Sequence, residues 1–365
     1  MNIKFWPSLQ LTVLVRIAKK ILYSLIFRVK ERKCFSSPKS DVTIKYSRKI
    51  ASTTKRLLSG LDIPHSIEKQ IFGIIKSLNF EIQEWFFNHC GILHGEDLYF
   101  LRTLCWRSYG IIDTFETAQR LIQDNKIKIK ERFDLSCKYF FDDHAQELWR
   151  KLPSVERKSI TRKYDKIECM KYRTDRLSLC KKINSIQMFH YYEYENYFRE
   201  NHLGLRYYFK ELEPKGQYWC LLYNLTHNGV NHFDLYLCFA EMDIKEIKSL
   251  FHSLSDFHRL WVIKSFLRFP LHPLFPDIVT PLWNYISHYN YRNVLNFMIY
   301  ERIRVRWHDF DYIQLMKYLW HRFPKGHQLR FKKDKIYNLF ERIVWTPLRV
   351  KNPDLINCLE TVFNS

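Results

Sequence analysis

Three groups of side chains in this 365-residue chain have types and spacing that could do chemistry. His89, Cys90 and His94, with Asp97 close behind, offer nitrogen, sulfur and oxygen donors within the stretch "NHCGILHGED". Zinc wants four convergent ligands, and no Cys-x-x-Cys half stands elsewhere to complete the set. The expectation is therefore a polar helix–loop–helix junction. His227, His232 and Asp234 in "THNGVNHFD" surround Gly229, and turn or capping duty for Asn228 and His232 explains them without a metal. Cys137 and His144 could pair as thiol nucleophile and base. The chain repeats itself there, however, and 100 positions on the same places hold Leu237 and Ile244, so both are expected in the core.

The remaining polar signals are weaker. "FHYYEYENYFRENH", Phe189–His202, could stack a ligand, but a helix packing Phe189, Tyr192 and Tyr197 inward accounts for it. "NKIKIKER" at 125–132 and "RIRVRW" at 302–307 alternate charge as solvated loops do, with an acidic partner as the sharper reading. No nucleophile elbow, HExxH zinc motif, phosphate loop or dinucleotide fingerprint is present. Hence no catalytic, cofactor-binding or metal-ligating residue and no cofactor is expected. An enzyme would need a pocket assembled from scattered titratable groups.

What must position any such residues is a series of helices. "DTFETAQRLIQ", "DHAQELW" and "DIKEIKSLF" each open with an Asp (Asp113, Asp143, Asp243) followed three positions later by Glu or Gln. That is a capping box, in which the Asp accepts an N–H that the first helical turn leaves orphaned. Behind the caps run apolar residues at i, i+4, i+7: Ala145, Trp149 and Leu152; Leu205, Phe209 and Leu212; Ile247, Phe251 and Leu254; Met316, Trp320 and Phe323. Each stripe ends in a shared phrase: "LWRKLP", "YFKELEP", "LFHSLS" and "LWHRFP". The Pro or Ser after it closes the helix. "FDLSCKYFFDD" at Phe133 and "FDLYLCFAEMD" at Phe233 align without gaps and mark an earlier helix of the same hairpin. Their offset suits three units of about 33 residues, the length of several helix-pair repeats.

Composition supports this. Apolar residues make up 46% and aromatics 17%, with 28 Phe, 23 Tyr and 10 Trp, enough for a large core. Nine glycines argue against tight-turned β architectures. Nine cysteines, an odd number without a Cys-x-x-Cys pair, read as small buried hydrophobes of a reducing, cytoplasmic compartment. The net charge of +21 is uneven: residues 1–60 carry +12 and the rest +9. Residues 1–33 form a basic amphipathic helix, with Thr12, Arg16, Lys19, Lys20, Ser24 and Arg28 on one side and Leu11, Leu14, Ala18, Leu22, Leu25 and Val29 on the other. Residues 34–60 read as a Ser/Lys-rich linker or arm, 61–345 as the helical-repeat domain and 346–365 as a capping helix. No apolar run is long or clean enough to span a bilayer.

"TPLWNYISHYNYRNVLNFMI", residues 280–299, resembles an ankyrin repeat. Thr280, Pro281 and Leu282 fall on that family's turn and helix start, and Val294, Phe297 and Met298 on its second-helix apolar positions. Trp283, Tyr285 and Tyr289 depart from its His, Ala and Gly, and Gly110 keeps an inter-helix glycine in an earlier unit. The resemblance implies an all-α array of stacked helical hairpins, ankyrin-like or a more general α-solenoid, working as a non-enzymatic scaffold or adaptor for a protein or peptide. Leu11, Leu14 and Arg16 also resemble the elongin-binding helix of a SOCS box, which implies a ubiquitin-ligase adaptor. The basic arm, through Arg16, Lys19, Lys20, Arg28 and Lys30, carries another alternative. Its first reading is a helix capping the open end of the array; otherwise it would contact an anionic membrane or nucleic acid, or serve as a mitochondrial leader. A monomer is expected.

Overall fold

The computed structural model describes residues 4–29, 52–54, 56–60, 63–94, 97–165, 168–179, 181 and 202–345. The tyrosine-rich run Phe189–Asn201 and the expected capping helix at 346–365 lie outside these, as do Lys30 and the side chains of Arg28 and His202. The described chain is all-α, with no strand and one isolated bridge, Trp106–Ile112.

Helices run in the order α1 (Leu9–Val29), α2 (His65–His89), α3 (Asp97–Thr103), α4 (Thr114–Gln123), α5 (Ile129–Lys138), α6 (Asp142–Lys151), α7 (Ser154–Tyr164) and α8 (Glu168–Ser178). Then come α9 (Leu205–Phe209), α10 (Pro214–Tyr223), α11 (His232–Glu241), α12 (Ile244–Ser253), α13 (Asp256–Ser265), α14 (Phe275–Val279) and α15 (His288–Asn296). The last three are α16 (Tyr312–Arg322), α17 (Lys325–Phe331) and α18 (Tyr337–Trp345). Wide π-helical turns extend α10 over Asn224–Asn228 and α15 over Phe297–Ile303.

The caps follow the sequence in part. Asp243 forms the full box, accepting from Lys245 and Glu246 N–H at 2.6 and 2.8 Å while Glu246 accepts from Asp243 N–H at 2.8 Å. Asp113 caps α4 through Glu116 N–H, but Glu116 turns to Arg120 instead of back. Asp143 does not cap. Helix α6 starts two residues earlier than a cap at Asp143 would give, and its N-cap is Phe141, so Asp143 sits exposed in the first turn.

The repeated phrase has a structural meaning. Leu152, Leu254 and Phe323 each end a helix in extended conformation, with ψ between 137° and 143°. The next residue, Pro153, Ser255 or Pro324, is the N-cap of the following helix, so the phrase starts a helix as well as closing one. In three copies a long polar side chain eight residues after the aromatic reaches back to its carbonyl. Gln217 donates to Phe209, Arg259 to Phe251 and Gln328 to Trp320, at 3.2, 2.6 and 2.7 Å. These bonds satisfy carbonyls that a helix end leaves open. Trp149, Phe209, Phe251, Leu212, Leu254, Phe133, Phe233 and Phe323 are all buried, and Trp320 packs half-buried against Phe340.

Between residues 97 and 178 consecutive helices pack, α4 on α5, α5 on α6 and α7 on α8; from residue 205 on, packing joins every second helix, α9 to α11, α11 to α13, α13 to α15 and α15 to α17, while α10 meets α12 and α16 meets α18. Stacked helices account for that pattern. The 280–299 segment departs from the ankyrin resemblance. Thr280–Tyr285 is a 3₁₀ turn continuing directly from α14 rather than a turn opening a helix, and Tyr289, at the glycine place, lies inside α15. Val294, Phe297 and Met298 are buried as that resemblance implies.

The helical pattern expected from residue 61 covers α2 but gives neither its length nor its place. Its 25 residues, about 37 Å of helix, lie across the stack. Gly73 abuts the backbone at His308 and Asp309, where a Cβ would come within 2.3 Å of Asp309 N. Ser77 donates to Asp309, Glu84 pairs with Arg268, and His89 meets Tyr139. Helix α1 packs along α2, burying Leu14, Val15, Ala18, Leu22, Leu25 and Ile26. The buried face thus includes Leu14 of the SOCS-box resemblance. Arg16 and Lys20 are exposed, and Lys19 is half-buried.

Candidate functional site

Between α2, α13 and the π-turn after α15 opens a cleft of about 630 Å³. Its walls alternate cations with rings. The Lys76 ammonium lies 4.7 Å from the Phe72 ring, Arg268 4.7 Å from Phe80, Lys264 4.8 Å from Phe297, and Arg302 4.5 Å from Trp307. Cations over ring faces hold their charge in place at a modest gain of roughly 1 kcal/mol each. The π-turn, one residue wider than an α-helical turn, supplies Phe297, Tyr300, Glu301 and Arg302 to this wall. "RIRVRW", expected as a solvated loop, therefore places Arg302 half-buried in the cleft.

One end of the cleft is pinned by a hydrogen-bonded chain. Trp307 Nε1 donates to Ser77 Oγ, which donates to Asp309, and Tyr312 donates to Asp309 while sitting 2.8 Å from His272 Nε2. Burial pushes the Asp309 carboxyl up to about 6 and holds the His272 imidazole down to about 3. Ser77 Oγ thus spends its proton on the Asp309 carboxyl and its acceptor capacity on Trp307. Ser265, also in the cleft, spends its hydroxyl on the Trp261 carbonyl.

The floor is a carboxyl–imidazole cluster. Glu81 and Glu84, one turn apart on α2, and His232, at the start of α11, bring donor atoms within 4.8 Å of one another. Glu81 and His232 are buried. Burial, with the Glu84 carboxylate adding to it, holds the Glu81 carboxyl well above its ordinary range, and Ile112 N–H donates to it at 3.3 Å. Arg268 grips Glu84 at two points. His232 Nε2 donates to the Phe269 carbonyl at 2.9 Å, and burial keeps the ring neutral. A second cavity of about 240 Å³ lies against Glu81 and Glu84, with Asp234 in its lining.

The residues singled out in the sequence fall differently. His89 is buried, donating Nδ1–H to the Trp85 carbonyl and meeting the Tyr139 hydroxyl at 2.8 Å. Cys90 is exposed and His94 faces Glu131, so that stretch does not converge; the Asp97 side chain lies outside the description. Of the second group, His232 joins the carboxyl cluster and Asp234 lines the second cavity, and Asn231 rather than His232 caps α11. Gly229 takes a left-handed turn at φ 73°. Cys137 is buried with its thiol pushed up to about 11, which suits core rather than a nucleophile. Glu81, Glu84 and Arg268 were missed. The two glutamates sit in "IFGIIKSLNFEIQEWFF", a largely apolar stretch with six polar residues whose Phe80 and Phe87 are exposed, so its pattern does not mark which acid is buried.

No family model, no curated protein and no solved structure matches this chain. Among the described residues no helix is long and apolar enough to cross a membrane. The class established is an all-α protein of stacked helices with one long helix laid across them.

Proposed function

We propose that this protein is a non-enzymatic recognition protein, a helical-repeat scaffold working as a monomer, which holds an acidic, aromatic-bearing peptide of a protein partner in the cleft. The observation that carries this reading is the lining itself. Lys76, Lys264 and Arg302 face a volume walled by Phe80, Trp261, Phe297 and Trp307. Such walls favour negative charge and flat apolar groups together. Fluorescence polarisation against a panel of labelled peptides tests it. Acidic peptides carrying Phe or Trp should bind, with K264E and R302E weakening them at least tenfold and salt doing likewise. Equal binding of basic peptides, or no effect of charge reversal, would end this reading.

A second reading rests on α1. Trp6 and Leu9 are 80% exposed, and Val13 and Ile17 follow Leu9 at four-residue steps on the same face, beside Arg16 and Lys20. That is the composition of a helix lying on an anionic membrane surface. Sedimentation with phosphatidylserine vesicles should carry the protein down, and L9D/I17D should leave it in the supernatant. Failure of the parent chain to sediment rejects it.

A further inference from the structure

The geometry points to a site for one first-row divalent cation, such as Zn²⁺, Mn²⁺ or Fe²⁺, held by Glu81, Glu84 and His232 at the floor of the cleft. Three observations converge on it. The donor atoms already lie within 4.8 Å of one another, whereas ligands around such an ion stand roughly 3–4 Å apart, so small side-chain rotations close the set.

His232 supplies the second, independent pointer. Its Nε2–H is committed to the Phe269 carbonyl, which leaves the lone pair on Nδ1. That atom is buried, in a side chain only 1% exposed, and has no hydrogen-bond partner. A buried lone pair without a partner is costly, and buried polar atoms in folded proteins are nearly always satisfied. A cation satisfies it.

The third observation is the outer shell. Metal-ligating histidines almost always donate their other N–H to a carbonyl or carboxylate, and ligating carboxylates are themselves hydrogen-bonded. Here each candidate ligand has such a partner: Phe269 carbonyl for His232, Arg268 for Glu84 and the Ile112 N–H for Glu81. One imidazole with two carboxylates suits zinc, manganese or iron better than calcium, which takes oxygen alone. Glu81 and His232 both border the cleft, so the remaining coordination positions open toward it. This site stands independently of the peptide reading, because the ion would bind with or without a partner.

Equilibrium dialysis of the full chain, stripped with chelator and titrated with Zn²⁺ and with Mn²⁺, tests it by direct metal analysis. One equivalent per chain is expected, with affinity at least 100-fold weaker in E81Q and in H232Q. Circular dichroism checks that each variant keeps the parent's helix content, and E84Q provides a further substitution if either fails to fold. The double variant C90S/H94Q, which removes the exposed cysteine–histidine stretch, should bind as the parent does. Absence of stoichiometric binding, loss of binding only in C90S/H94Q, or unchanged affinity in the folded ligand variants would overturn the assignment.

Discussion

Arg268 holds Glu84 through two hydrogen bonds, 3.1 Å from Nη1 and 2.6 Å from Nη2, across 184 positions of sequence. The pair ties α2 to the turn after α13, and both side chains are only about one-fifth exposed. Removing one partner leaves the other charge poorly solvated. R268A should therefore lose about 2–3 kcal/mol in urea unfolding, more than an exposed pair would give. A double-mutant cycle with E84A, in chelator, should show coupling between the two. Additive losses would mean the contact contributes little.

Gly73 is where α2 touches the far end of the stack. A methyl group there would meet Asp309 N at 2.3 Å and His308 C at 2.5 Å, both backbone atoms that cannot swing aside. G73A should destabilise by about 1–3 kcal/mol, the usual range for overpacking. Gly91, with nothing within 4 Å, is the control, and G91A should stay within about 0.5 kcal/mol. Thermal melts of the two variants compare them directly.

The recurring bond from residue i+8 to the aromatic's carbonyl predicts equal behaviour at distant sites. Q217A and Q328A should each cost about 1 kcal/mol, the net value of a hydrogen bond to a buried carbonyl. D243A should cost about 1 kcal/mol through its lost box, whereas D143A, at an aspartate that caps nothing, should cost under about 0.5 kcal/mol. Chemical denaturation of the four variants measures this; equal losses in D243A and D143A would contradict the capping geometry.

Asp309 makes stability depend on pH in the direction opposite to a salt-bridged carboxylate. Its pKa rises from 3.8 to about 6 because it is buried, with Ser77, Tyr312, His272 and Arg302 around it. The folded chain therefore keeps a proton that the unfolded chain has released. That contribution is complete below pH 4 and is lost as pH climbs to about 6, on the order of 3 kcal/mol. His272, lowered from 6.5 to about 3, acts the other way, its contribution complete above pH 6.5 and lost toward pH 3. The two oppose each other between pH 4 and 6. D309N removes the first, so its stability relative to the parent should rise through that window and level off above it. Urea melts at pH 4.5, 5.5 and 7 would show a flat difference if Asp309 were not protonated in the fold.

Local patterns in the chain determined the helical class, the stripes built on Trp149, Phe251 and Phe323, the caps at Asp113 and Asp243, and the amphipathic α1. Each depends on residues within a few positions, where spacing translates directly into a shared face. Only the tertiary structure decided that α2 lies across the stack, and that Arg302 turns into a cleft. It alone brought Glu81, Glu84 and His232 together from places some 150 residues apart. A carboxylate at a helical position looks the same in sequence whether water or a neighbouring helix faces it. What separates the two cases is contact between distant segments, and a single chain's spacing carries no record of that.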